Sequence, residues 1–207
     1  MKQLPINITN KIYFTSDSHA FHKNIVRGTT TWDVNSTKNF KVRDFDTPEE
    51  MNLNMAEKFN NCLPSDAILY HLGDFSFDGI DKVKTFREML NVKELHIITG
   101  NHDHHIESGV FNSLFTSNQK YLELEIGKKI KIALFHFPIM SWNNLSKGSY
   151  HLHGHQHWTS EMRFGNGRMM DVGVDGNDLM PYSFDEIISL LENRERIDPN
   201  GHHVTKF

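Results

Sequence analysis

Three short apolar runs, residues 11–16, 67–72 and 95–99, each stop at a polar turn, and those turns are rich in groups that bind metals. Runs of this length, carrying β-branched and aromatic residues, read as buried strands. Asp17-Ser18-His19 follows the first, Gly73-Asp74 the second, and Gly100-Asn101-His102-Asp103 the third. Further along, Tyr121–Ile126 alternates, residues 130–137 are richly apolar, and Gly127-Lys128-Lys129 between them predicts a hairpin. His136 lies at the end of that second run. Two more short strands are expected at Tyr150–His153 and 169–174, the first leading into His153-Gly154-His155-Gln156-His157.

Helical signals fill the gaps. Thr47-Pro48-Glu49-Glu50 reads as an N-cap, a proline at the first helical position and a glutamate three residues on, opening a helix to about Cys62. Residues 81–90 predict a second helix with Val83, Phe86 and Leu90 on one face. Ser183-Phe184-Asp185-Glu186 is a capping box for a third, through about Glu192. Strand–helix alternation followed by a strand-rich half predicts a layered α/β domain. In open α/β sheets ligands bind at the loops after strand C-termini, and all five clusters fall there.

The clusters offer carboxylates, imidazoles and a carboxamide, with no thiolate. Such N/O donors suit Mn, Fe, Ni, Co or Zn in roughly octahedral sites rather than a sulfur-rich structural zinc site. Asp17 and His19, like His155 and His157, stand two apart, so in an extended segment each pair would point to one side. A turn would instead divide His155 and His157 between adjacent metals. Glycines at 73, 100 and 154 allow the chain to turn sharply beside them.

In order, these motifs resemble the calcineurin-like metallophosphoesterase superfamily: D-x-H, G-D, G-N-H-D, H and G-H-x-H, spread here from Asp17 to His157. The opening Thr15 through Ile25, the segment His71 to Phe75 and the segment His151 to His157 are similar to its small bacterial and phage members. The resemblance implies a four-layer α/β/β/α sandwich of two mixed β-sheets flanked by helices, with a dinuclear site at the strand C-terminal edge. It implies one metal on Asp17, His19 and His157, and another on Asn101, His136 and His155, with Asp74 bridging. Manganese is the first expectation for the two divalent ions, and a hydroxide bridging them would attack phosphorus in line. His102 would contact the phosphate or protonate the leaving oxygen, with Asp103 orienting its imidazole. Substrate contacts are expected from His22, Asn101 and His102. The activity implied is a phosphodiesterase or phosphatase.

Composition bounds the partners. The 207 residues suit a single domain over 1–207, and 38% hydrophobic residues supply a core. A net charge of -4 argues against tight non-specific binding to long nucleic acid, which needs a basic footprint. A small phosphorylated or nucleotide substrate is compatible, because bound metal supplies local positive charge. A nuclease on single-stranded nucleic acid is the alternative, and a non-catalytic protein-binding module on the same fold is a third reading. Cys62 is the only cysteine, which excludes an intrachain disulfide and fits a reducing compartment. No signal peptide and no membrane-spanning run are read, so a cytoplasmic location is expected.

Outside the clusters the readings are plainer. Residues 28–46, with Trp32, Phe40 and Phe45, are either a surface loop pinned by aromatics or a loop on the substrate side. Residues 194–207 are a polar tail, and its His202-His203 pair reads as solvated. Asn24 and Arg27 are weaker site candidates than His22, the alternative being the start and cap of a short helix. His153 is a candidate to support the metal ligands. Trp142 could stack on a base or pack, and Asp175 and Asn177 could border the site. His71, His96, His104, His105 and His151 are left without a role, and Cys62 reads as core.

Overall fold

The computed structural model describes residues 1–32, 42–107 and 113–198. The first half lays down strands β1 (Lys2–Leu4), β2 (Ile12–Thr15), β3 (Ile68–His71), β4 (Glu94–Ile98) and β5 (Ser117–Gln119). The second adds β6 (Tyr121–Ile126), β7 (Ile130–Phe135), β8 (Tyr150–His153), β9 (Met169–Asp171) and β10 (Tyr182–Ser183). Helix α1 (Pro48–Cys62) starts where the Glu50 amide donates to Thr47 Oγ1 at 3.2 Å, with Pro48 at the first position. Helix α2 (Ile80–Met89) starts one residue earlier than the sequence pattern suggests, directly after Gly79. Helix α3 (His104–Glu107) is a single turn, and α4 (Phe184–Leu191) has both arms of its capping box made by Ser183 and Glu186.

Two mixed five-stranded sheets result. One runs β10-β2-β3-β4-β5, parallel except for the antiparallel β10, and the other runs β1-β6-β7-β8-β9, parallel except for the β6–β7 hairpin. Because strand side chains alternate, β2, β3 and β4 of the first sheet each feed two cores. Ile12, Phe14, Ile68, Tyr70 and Ile98 meet Leu124, Ile132, Leu134 and Leu152 of the second sheet. Leu69, Leu95 and Ile97 point the other way, onto Met51, Met55 and Phe59 of α1 and Val83 and Phe86 of α2. Each such fully buried Leu or Phe contributes about 1.5–3 kcal/mol. From α4, Phe184, Ile187 and Leu191 close the core between the sheets.

The sandwich of two mixed sheets flanked by helices is thus as expected, and the structure refines the details. β1, β5 and β10 had no sequence signal, being two or three residues long and mostly polar. The strand expected over 169–174 stops at Asp171 and gives way to a 3-10 turn, Val174–Gly176. Trp142 is buried against Ala133 and Leu145 on the outer face of the second sheet, with its indole N–H 3.4 Å from Ser149 O. It packs, and does not present itself to a base. Cys62 is half-buried rather than core.

The 28–46 segment is closed at its base by Gly28 N–H donating to Phe45 O at 2.9 Å and Arg27 N–H to Arg43 O at 3.4 Å. Residues 33–41, Phe40 among them, lie outside the described residues, as do 199–207 with His202 and His203. Among the described residues, no helix is long and apolar enough to cross a membrane.

Candidate metal centre

Parallel pairing of β2, β3 and β4 brings their C-terminal loops side by side, and the loops after β7 and β8 meet them from the second sheet. The loops are stitched to one another by backbone. Asp17 N–H donates to Gly73 O at 2.9 Å, His19 N–H to Asp74 O at 3.0 Å, and Gly154 N–H to His136 O at 2.9 Å. Two ligand groups follow. Asp17, His19 and His157 form one, and Asp74, His136 and His155 the other, each with its ligand atoms within 4.8 Å of one another. Either group could hold a metal ion.

Asp74 stands between them. Its Oδ2 is 3.4 Å from His19 Nε2 in the first group and 3.4 Å from His136 Nε2 in the second. Its Oδ1 accepts the His102 backbone N–H at 2.9 Å, which aims the carboxylate. Asp17 is aimed the same way, accepting the His155 backbone N–H at 2.9 Å. Asn101 joins the second group, with its Oδ1 3.0 Å from His136 Nε2.

The donor chemistry fits a cation. His136 Nδ1 lies 2.7 Å from Leu72 O, and a carbonyl only accepts, so Nδ1 carries the proton. A neutral ring then has no hydrogen for Asn101 Oδ1 or Asp74 Oδ2, which both face Nε2. Burial opposes a charge on His136, yet Asp74, Asp17 and the Leu72 carbonyl outweigh it and raise the ring to about 9. A metal ion on Nε2 satisfies the same oxygens. Neither ring nitrogen of the buried His19 makes a hydrogen bond, although carboxylate oxygens of Asp74 and Asp17 lie 3.4 and 3.7 Å from Nε2. Burial holds that ring neutral, lowered to about 4. Neutral imidazoles and carboxylates are the ligand forms a divalent ion takes.

Backbone strain is concentrated on these residues. Asp17, His19, Asp74, His155 and His157 have φ of 57°, 47°, 55°, 71° and 50°. A side chain in this left-handed region is strained, and such residues cluster at functional sites. Two glycines make the close approach possible. A Cβ on Gly100 would overlap Asp74 Oδ1, and one on Gly154 would overlap Asp17 Oδ2 and Ser16 Oγ.

His102 sits at the exposed rim of this centre. Its ring lies 4.8 Å from Phe77 and 5.6 Å, edge-on, from His19. Asp103 corrects the sequence reading. Its carboxylate accepts backbone N–H groups from Asp74 at 2.7 Å, Gly100 at 2.8 Å and Phe75 at 2.9 Å, so it braces the loops rather than the His102 imidazole. Burial pushes its carboxyl up to about 6 despite those three donors.

The remaining candidates separate cleanly. His22 stacks face to face on Phe77 at 3.8 Å and lies 5.5 Å from the His19 ring, with Trp32 edge-on at 5.7 Å. Asn24 is occupied by Thr31, and Arg27 by Asp44 and Asp46 at the surface. Asn177 donates to Met180 O and Pro181 O. His153 is buried behind the site, its Nδ1 2.8 Å from Gly154 O. Asp175 does belong to the centre: His157 Nδ1 donates to its Oδ2 at 2.7 Å. Sequence reading missed Arg43 and Asp171 and left His71 without a role. Arg43 is fully buried against Asp175 and the Asp17 loop, and His71 joins the Ser18 hydroxyl to the Gly73 amide. Asp171 accepts the Gly173 amide at 2.7 Å, and burial with Asp17 nearby pushes it up to about 7.

Comparison with other proteins adds three likenesses. The uncharacterised protein MJ1445 of Methanocaldococcus jannaschii is 30% identical over 188 residues, spanning 88% of this chain and 92% of MJ1445. The crystal structure of AQ665 from Aquifex aeolicus, a protein of unknown function, shares the fold with a TM-score of 0.61 at 22% identity, over 87% of this chain and 98% of that one. A conserved uncharacterised protein of Streptococcus pneumoniae TIGR4, described as a predicted phosphoesterase, is 14% identical with a TM-score of 0.33, over 78% of this chain and 70% of that one. No protein-family model matches the chain.

Proposed function

The chain belongs to one family with MJ1445 of Methanocaldococcus jannaschii; from that premise, and from five ordered motifs that resemble the calcineurin-like metallophosphoesterase superfamily, we propose that it is a metal-dependent phosphoric ester hydrolase with a two-ion centre. The observation that carries this reading is the placement of Asp74 Oδ2, 3.4 Å from a histidine of each ligand group. One ion would be held by Asp17, His19 and His157, the other by Asn101, His136 and His155, with Asp74 shared. Divalent ions there, manganese first among them, would supply Lewis acidity, a water of lowered pKa and a net positive charge for phosphate.

The protein's own groups do the rest. Asp17 and Asp74 are fixed by backbone N–H donors, so their oxygens need no reorganisation on binding. Asn101 offers its carboxamide beside His136, where a phosphoryl oxygen would lie. His102, held at the rim through its backbone bond to Asp74, is placed to contact the phosphate and to give a proton to the departing oxygen.

For the substrate we propose a small phosphorylated molecule or nucleotide. Net charge of -4 supports this over long nucleic acid. The row Trp32, His22, Phe77 beside His102, with Trp32 50% exposed, supports an aromatic leaving group and keeps a single-stranded nuclease as the second reading. The test is a hydrolysis panel with Mn²⁺: nitrophenyl phosphate, its diester, cyclic nucleotides and single-stranded oligonucleotides. Turnover of the small esters supports the proposal, and cleavage of oligonucleotides alone replaces it with the nuclease.

A further inference from the structure

The largest fully buried side chain in the described residues is a charged one, Arg43, and all its hydrogens are directed. Nε donates to Asp175 Oδ1 at 2.6 Å and Nη2 to Asp175 Oδ2 at 2.9 Å. Nη2 also donates to Asp17 O at 2.7 Å, while Nη1 donates to Ser18 O at 3.0 Å and meets Met51 Sδ at 3.5 Å. A guanidinium has five N–H donors in a rigid plane, and here each has an acceptor. Asp175, itself fully buried, spends its remaining capacity on His157 Nδ1 at 2.7 Å.

From this geometry we infer that Arg43 and Asp175 are positioning residues for one ion alone, the ion of Asp17, His19 and His157. An ionised carboxylate only accepts, so Asp175 requires the proton of His157 on Nδ1 and turns Nε2 toward Asp17, 3.9 Å away. The guanidinium grips the other end of the same ligand set, tying the carbonyls of Asp17 and Ser18 just where the backbone is held at positive φ at Asp17 and His19. One planar group thus fixes the tautomer of one ligand and the loop of two others. The second group has a separate set of braces: Leu72 O on His136 and the His102 amide on Asp74. The contacts of Arg43 and Asp175 run instead to Asp17, Ser18, Met51 and His157.

This inference rests on the two-ion reading and is tested so that the two can fail separately. Co²⁺ binding is measured by calorimetry and by metal analysis on chelator-stripped wild type, Asp175→Asn and Arg43→Lys. Expected is two-ion binding by wild type, and in each variant a loss of roughly 10–100-fold in affinity for one ion with the other unchanged. The same loss in a His155→Ala background identifies the weakened ion as that of the Asp17 group. Unchanged affinity for both ions, or equal loss of both in variants that keep a wild-type circular dichroism spectrum, overturns the positioning role. A wild type that takes up no second ion refutes the two-ion reading instead. Should the variants not fold, long-range ¹H–¹⁵N correlation of the stripped wild type decides: His157 protonated on Nδ1 supports the inference, and protonation on Nε2 overturns it.

Discussion

Asp103 holds Asp74 by its backbone: the Asp74 amide donates to Asp103 Oδ2 at 2.7 Å, in a pocket where Asp103 is 2% exposed. The same carboxylate takes the amides of Phe75 and Gly100, so three loop N–H groups depend on it. Asp103→Ala would leave these donors buried without a partner, at roughly 1–3 kcal/mol each where water cannot enter. We expect a fall in unfolding free energy of about 3 kcal/mol or more, read as a lower urea midpoint. A midpoint equal to wild type would show that the loops hold themselves.

Gly154 is pressed onto Asp17. A methyl there overlaps the Asp17 carboxylate and the Ser16 hydroxyl, both of which are buried and held by hydrogen bonds. Gly154→Ala should therefore cost about 1–3 kcal/mol of stability by overpacking and weaken ion binding at the Asp17 group. Thermal melts and metal analysis of the same preparation check both effects.

His102 separates chemistry from metal binding. Its ring is exposed and belongs to neither ligand group. His102→Asn should lower turnover roughly 10²–10⁴-fold and leave metal content at the wild-type level. Parallel loss of both would place the ring among the ligands.

His151 sets part of the acid stability. It is buried beside Trp142 with Nε2 unpartnered, and burial lowers its ring to about 4. The folded-state value lies below the unfolded value of about 6.5, so the unfolded chain takes up the proton first. The contribution is therefore complete above pH ~6.5 and is lost as pH falls toward the folded value, at most ~1.4 kcal/mol per pH unit. Urea midpoints measured from pH 7.5 to 4.5 should fall less steeply for His151→Phe than for wild type.

Much of the centre was legible because its ligands come in short local patterns. Asp17-x-His19 and His155-x-His157 are read within three residues, and each follows an apolar run that the structure confirms as a strand. Asp103 was expected to orient the His102 imidazole, but its partners are backbone amides, which sequence does not display. Arg43 and Asp175 lie 132 residues apart, and neither stands in a pattern. A single arginine in a polar stretch looks solvated until the fold buries it. Strand β5 is Ser-Asn-Gln, so only its pairing with β4 makes it a strand. The fate of Trp142 was likewise decided by the second sheet's outer face, which needs a cover over Ala133.

The most direct test is the hydrolysis rate of the ester selected by the substrate panel, followed as Mn²⁺ is titrated into chelator-stripped protein. A two-ion centre bridged by Asp74 predicts that the rate rises from near zero to a plateau at two equivalents per chain, and that Asp74→Asn abolishes the rise. Hydrolysis indifferent to chelation, or a plateau at a single equivalent, would contradict it.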